Sequence, residues 1–75
     1  MHLSVLLSGG GRGVVARFDE SAGLGVIAGL DGTEVPFHCT TISDGTRVIE
    51  PGTAVYFSIF PALGGRVEAL RVEKL

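Results

Sequence analysis

The stretch "SAGLGVIAGLDGTEVPFHCTTI" (residues 21–42) sets glycines among aliphatic residues, turns at Asp31-Gly32 and then places His38 beside Cys39. Three kinds of structure use such residues: a phosphate-cradling loop, a metal or nucleophile site, and a glycine-punctuated β-hairpin. A phosphate cradle needs a helix N-terminus directly after its glycines. Here the Asp31-Gly32 turn follows Gly23, Gly25 and Gly29 almost at once, and no helix fits between. Neighbouring residues on an extended chain point to opposite faces, so His38 is badly placed to activate the Cys39 thiol. His2 is the only other histidine, which leaves no ligand set for a metal. The hairpin remains, with its glycines permitting tight strand curvature.

The rest of the chain reads the same way. "GVVARF" (13–18), "LGVIAG" (24–29), "TEVPF" (33–37), "TAVYFSIF" (53–60) and "RVEALRV" (66–72) are short and rich in Val, Ile and Phe. Gly, Pro, Asp or Ser bounds each of them, as strands require. The last segment also fits a two-turn amphipathic helix, but Gly64-Gly65 before it suits a hairpin turn better. "CTTI" (39–42) is long enough for a single helical turn, and "SDGTRVIEPG" (43–52) is a connecting loop built on Asp44-Gly45 and Pro51-Gly52. Five strands in so short a chain predict a small closed barrel, since closure removes aggregation-prone edges. OB-type and SH3-like barrels both satisfy the pattern. The alternation predicts a core that includes Val15, Ile27, Val35, Phe37, Val55 and Phe57.

Bulk properties narrow the function. The chain has 75 residues, one cysteine and a net charge of −2. A domain of this size buries only ~60% of its unfolded surface. A single cysteine leaves no internal disulfide and too few thiols for the usual structural zinc sites. The lone thiol fits a reducing, cytoplasmic setting. A strongly basic nucleic-acid binder is excluded, so any phosphate contact must come from a few placed arginines. No apolar run approaches the ~20 residues of a membrane span, so no membrane partner is expected. The start, "MHLSVLLSGGG", lacks the basic region and cleavage site of a signal peptide. No paired carboxylates stand out, Asp19 and Glu20 reading as solvated turn residues; no enzyme and no cofactor are expected.

Three runs carry a resemblance: Gly13-Val14-Val15-Ala16-Arg17-Phe18-Asp19, Gly23-Leu24-Gly25-Val26-Ile27, and Val35-Pro36-Phe37-His38-Cys39-Thr40-Thr41-Ile42. They resemble the cold-shock domain, whose family reads roughly G-T-V-K-W-F-N, K-G-F-G-F-I and V-F-V-H-F-S-A-I. Glu50-Pro51-Gly52-Thr53-Ala54-Val55-Tyr56-Phe57 is similar to the family's E-E-G-Q-K-V-E-F, and "ALRVEKL" (69–75) to its ending. The resemblance implies an all-β, five-stranded antiparallel OB-fold barrel over residues 13–75; before it, "SGGGRG" (8–13) reads from its composition as a flexible joint, so residues 1–12 are expected to be a flexible extension. It implies binding of single-stranded RNA or DNA on stacked aromatic rings, and an RNA-chaperone, stress-response or transcription/translation-regulatory role. The corresponding site comprises Arg17, Phe18, Leu24, Val26, Pro36, His38 and Cys39.

The departures lie within that site. Arg17 stands at the family's Trp position, Leu24 and Val26 at two Phe positions, and Pro36 and Cys39 at the Phe positions flanking Val-His. Ala16 and Ala22 replace lysines, Thr46 replaces a loop Phe, and His38 alone is unchanged among the stacking positions. Each base–aromatic stack is worth ~1–3 kcal/mol. Four lost stacks, partly compensated by aliphatic contact, remove ~4 kcal/mol, or about three decades of affinity. Two functions follow: weak, salt-sensitive binding of single strands, or a protein partner or homodimer held through Leu24, Val26, Pro36 and Cys39. Leu3, Val5, Leu6 and Leu7 lie outside the resemblance. They are expected to pack against Leu24 and Val26 or to add to a barrel edge, in the same chain or a neighbouring one.

Overall fold

Alternation of apolar and polar residues becomes five antiparallel strands: β1 (Gly10–Asp19), β2 (Leu24–Gly29), β3 (Glu34–His38), β4 (Ala54–Pro61) and β5 (Val67–Lys74). A 3-10 turn over Cys39–Thr41 follows β3, where a single helical turn was expected. The computed structural model describes residues 10–61 and 67–75. The strands hydrogen-bond in the order β3-β2-β1-β4-β5. The segment after the 3-10 turn then fastens to β5 through an Ile42–Val72 bridge and the Ser43 N–H donating to the Val72 carbonyl at 2.8 Å, which brings the β3 end of the sheet to its β5 edge. The result is a nearly closed barrel. The segment from Val67 is strand rather than amphipathic helix because pairing with β4 satisfies its backbone along its length.

All six expected core residues are buried, and Cys39, Ile42, Ile49, Ala69 and Val72 join them. The turn dipeptides behave as their composition predicts: Gly32, Gly45 and Gly52 have φ of 90°, 80° and 93°. Two features depart from simple alternation. Val15 faces Ile27 while Arg17 faces Val26, so Ala16 is an extra residue, a β-bulge, in β1. Ser58 faces Arg71 while Ile59 faces Ala69, which makes Leu70 the extra residue in β5. Each bulge reverses the facing of the residues on one side of it.

The strand boundary at the start also differs from expectation. Gly10, Gly11 and Arg12, read from composition as part of a flexible extension, are paired with Ser58, Phe57 and Tyr56 of β4. Backbone groups make that pairing, and glycine permits the approach: a Cβ on Gly10 would lie 2.6 Å from the Phe57 carbonyl oxygen.

The long 43–53 connection is fastened at Asp44. Its Oδ1 accepts from the Thr46 hydroxyl at 2.7 Å and the Thr46 N–H at 3.0 Å, and its Oδ2 lies 3.1 Å from Lys74 Nζ. The Thr46 hydroxyl foremost, then the Thr46 N–H and Lys74, hold the Asp44 carboxyl down at about 2. A carboxylate depressed in the folded state contributes stability that is complete above its unfolded value of ~4 and is lost as pH falls toward 2. Asp19 and Asp31 are lowered in the same sense, each chiefly by hydrogen bonds from its own turn. The thermal midpoint of the chain is therefore expected to fall between about pH 4 and pH 2. Asp44→Asn should flatten that fall, and an unchanged slope in the variant would disprove the assignment.

Candidate nucleic-acid interface

β2 lies between β1 and β3, so each outward residue of β2 is the centre of a three-residue row. Leu24 sits between Asp19 and His38, and Val26 between Arg17 and Pro36. The bulge at Ala16 decides this arrangement. Strict alternation from buried Val15 would turn Arg17 inward; the extra residue puts Arg17 outside and turns Phe18 toward the core. Leu24 is 53% exposed, Pro36 and His38 are exposed, and Val26 is half-buried.

Between these two rows lies an inward row, Phe18–Gly25–Phe37. The Phe18 and Phe37 rings approach across Gly25 with centroids 6.0 Å apart and planes at 18°. A Cβ on Gly25 would lie 2.6 Å from Phe37 and 2.9 Å from Phe18, so the ring pair depends on glycine there. Phe37 is buried, as its place in the core set predicts, whereas Phe18 is half-buried and packs against the core from the groove side. The Arg17–Val26–Pro36 row, Asp19 and Leu24 of the other row, and the ring pair line a groove of about 440 Å³; His38 lies outside it.

His38 is held at the end of β3 by the turn after it. Its Nδ1 accepts from the Thr40 N–H at 3.2 Å and lies 2.9 Å from the Thr40 hydroxyl. A backbone N–H only donates, so Nδ1 must carry a lone pair and the neutral ring's proton sits on Nε2. The Cys39 N–H donates to the Gly23 carbonyl at 2.8 Å, which fastens this turn to the β1–β2 turn. Cys39 itself is a correction to the expected site. Its side chain is buried on the core face with Phe37, because strand alternation carries from residue 37 to 39 while His38 points out. It belongs neither to the stacking surface nor to the apolar patch. Its Sγ is 4.0 Å from His38 Nδ1, a long contact to an atom already engaged by Thr40.

The six other expected site residues are brought together: Arg17, Leu24, Val26, Pro36 and His38 form the outward rows, and Phe18 sits at their inner margin. Tyr56 is exposed but faces Arg12 and Glu73 on the β1–β4–β5 side, and adds no ring to the groove. Sequence reading missed three contributors. Thr40 orients His38, Gly25 makes room for the ring pair, and Asp19 lines the groove. The Asp19 carboxylate accepts from Ser21 Oγ at 2.8 Å and Ser21 N at 3.0 Å; the Asp-x-Ser spacing is the signal that identifies such a turn. The interface is electrostatically weak. Arg17 is the one cation lining the groove and Asp19 sits at its margin. Among the described residues, Arg71 and Lys74 are paired with Glu73 and Asp44.

A profile of the "'Cold-shock' DNA-binding domain" matches residues 11–75. The chain belongs to the cold-shock domain family. Its barrel is thus the family's OB-fold, and the SH3-like alternative falls away. Among solved structures, drosophila Unr CSD456 has the same fold, with a TM-score of 0.73 and 24% sequence identity. The alignment covers 99% of this chain and 30% of that one, so the chain spans less than a third of that neighbour. No curated protein matches the chain. Membership places the chain on a nucleic-acid-binding, non-enzymatic fold. No helix among the described residues is long and apolar enough to cross a membrane.

Proposed function

We propose that the chain binds single-stranded nucleic acid, weakly and in a salt-sensitive way, across the outward rows of β1, β2 and β3. The observation that supports this reading is the coplacement of Arg17 and half-buried Phe18 around one groove, with exposed His38 paired to Leu24, which lines it. Arg17 offers a planar guanidinium for stacking or phosphate contact at the family's Trp position. His38 offers an imidazole face with its ring set by Thr40. Leu24, Val26 and Pro36 supply apolar contact with bases but no π-face. Binding through the described cations without an ion-pair partner (Arg12, Arg17 and Arg47) involves at most three phosphates. At ~0.7 per phosphate for single strands, the log–log salt slope should be no steeper than about −2.

Fluorescence anisotropy of a labelled oligo-dT at low and moderate salt tests this directly. The expected result is saturable binding at low salt that weakens as salt rises, with Arg17→Ala and His38→Ala each reducing it. A second reading has its own observation: Leu24 is 53% exposed beside exposed Pro36, an apolar surface suited to a protein contact. Absence of saturable binding at low salt would discard the first reading in favour of the second.

A further inference from the structure

The outer side of β1 does not end at the groove. Back along the strand from Arg17 it shows Ala16, Val14 and Arg12, all exposed and none of them acidic. Opposite Arg12 on β4 stands Tyr56, which is 45% exposed. Phe18 is half-buried and Phe37 and Phe57 are buried, so Tyr56 is the one exposed Phe or Tyr ring among the described residues. Its surroundings leave the ring open. Ala54 and Ser58 flank it on the same face of β4, and Gly10, diagonal to it on β1, has no side chain. A Cβ on Gly10 would lie 3.5 Å from the Tyr56 oxygen, so the ring leans across a bare glycine. On its other side Tyr56 faces Glu73 of β5, while Ser58 faces Arg71. The Arg71 Nε donates to Glu73 Oε2 at 2.7 Å and offsets that carboxylate. Two arginines, Arg12 and Arg71, against Glu73 leave this patch one net positive charge, whereas in the groove Asp19 offsets Arg17.

We propose, on the strength of the single-strand reading above, that the strand crossing the groove continues along β1, stacks a base on Tyr56 and sets the adjoining phosphate on Arg12. Continuity and charge both choose this occupant. Arg12 and Arg17 lie on one strand, five residues apart, or at most ~17 Å at ~3.4 Å per residue. A strand of several nucleotides covers that distance. The residues between are Gly13, Val14, Val15 and Ala16, so no carboxylate on β1 repels the phosphates on the way. Tyr56 gives a base the π-face that Leu24, Val26 and Pro36 do not. The guanidinium beside it supplies the donors that a phosphate needs. Leu3, Val5, Leu6 and Leu7, expected to pack on Leu24 and Val26 or to add to a barrel edge, lie outside the described residues, and the contact uses none of them.

The chain has one tyrosine and no tryptophan, so its intrinsic emission reports this site alone. The full chain is titrated with oligo-dT at low salt, with free tyrosine amide as the control for light absorbed by the oligonucleotide. The expected result is saturable quenching of the Tyr56 emission, with the same midpoint as the anisotropy of labelled oligo-dT. By anisotropy, Tyr56→Phe should stay within about twofold of the parent affinity, and Tyr56→Ala should lose about fivefold or more, the low end of one base stack. Arg12→Gln should weaken binding and flatten the log–log salt slope by about 0.7. Circular dichroism checks the fold of each variant, and the parent titration needs no variant at all. Saturable anisotropy without quenching would overturn the proposal and leave the groove reading standing. So would a folded Tyr56→Ala chain that binds as tightly as the parent. A parent chain with no saturable binding by either readout would remove both.

Discussion

Leu24→Phe combined with Val26→Phe is expected to bind single-stranded oligonucleotides at least tenfold more tightly than the parent chain. Both positions are the centres of outward rows, flanked by His38 and Asp19 in one case and by Arg17 and Pro36 in the other. A ring at residue 24 would extend a π surface beside His38, and a ring at residue 26 would do so beside Arg17. Two stacks at ~1–3 kcal/mol each give ~2–6 kcal/mol. The aliphatic contact already present takes back part of that gain, and one decade requires only ~1.4 kcal/mol. The substitutions spare the core, because Ile27 and the Phe18–Gly25–Phe37 row face the other way. Anisotropy with labelled oligo-dT reads the gain, and circular dichroism checks that the barrel persists. No gain in a folded double variant would mean that this face has left nucleic-acid binding altogether.

The strands and most of the core were legible because β-alternation is a local signal. Val15, Ile27, Val35, Phe37, Val55 and Phe57 each stand at a position where period two and burial coincide. The bulges were not legible, since one extra residue reverses a phase without changing composition. Arg17 reached the outward face in the sequence reading through family resemblance alone; periodicity would have buried it. Cys39 shows the converse error. Resemblance to a Phe position placed it on the surface, whereas alternation from Phe37, visible in the same residues, puts it inside. Gly10–Arg12 were misread because their composition reports side-chain content, while their strand is made by backbone pairing to β4. The orientation of His38 depends on the Thr40 N–H, whose direction exists only once the 3-10 turn has formed.

Ile49 is the case that period-two reasoning cannot reach, and it carries the second large prediction. It lies in the connection between the 3-10 turn and β4, is 2% exposed, and is the one buried residue between Ser43 and Thr53. That connection is held at its far end by the Gly52 N–H donating to the Val15 carbonyl at 2.8 Å and the Val15 N–H donating to the Thr53 carbonyl at 2.9 Å. A single side chain therefore anchors eleven residues to the core from within, and no surrounding pattern announces it. Ile49→Ala removes that anchor and leaves a cavity, at a cost of ~2–5 kcal/mol. A chain of this length has only about 4–11 kcal/mol of total stability, so the urea midpoint should drop by a large fraction. Val48→Ala, at a neighbour that is 44% exposed, should stay within about 0.5 kcal/mol of the parent. The groove on β1, β2 and β3 includes no residue of this connection, so the fraction of Ile49→Ala that remains folded should bind oligo-dT as the parent does. A loss of less than about 1 kcal/mol would show that the connection collapses onto the core without Ile49. An affinity change in the folded fraction would instead tie this connection to the binding face.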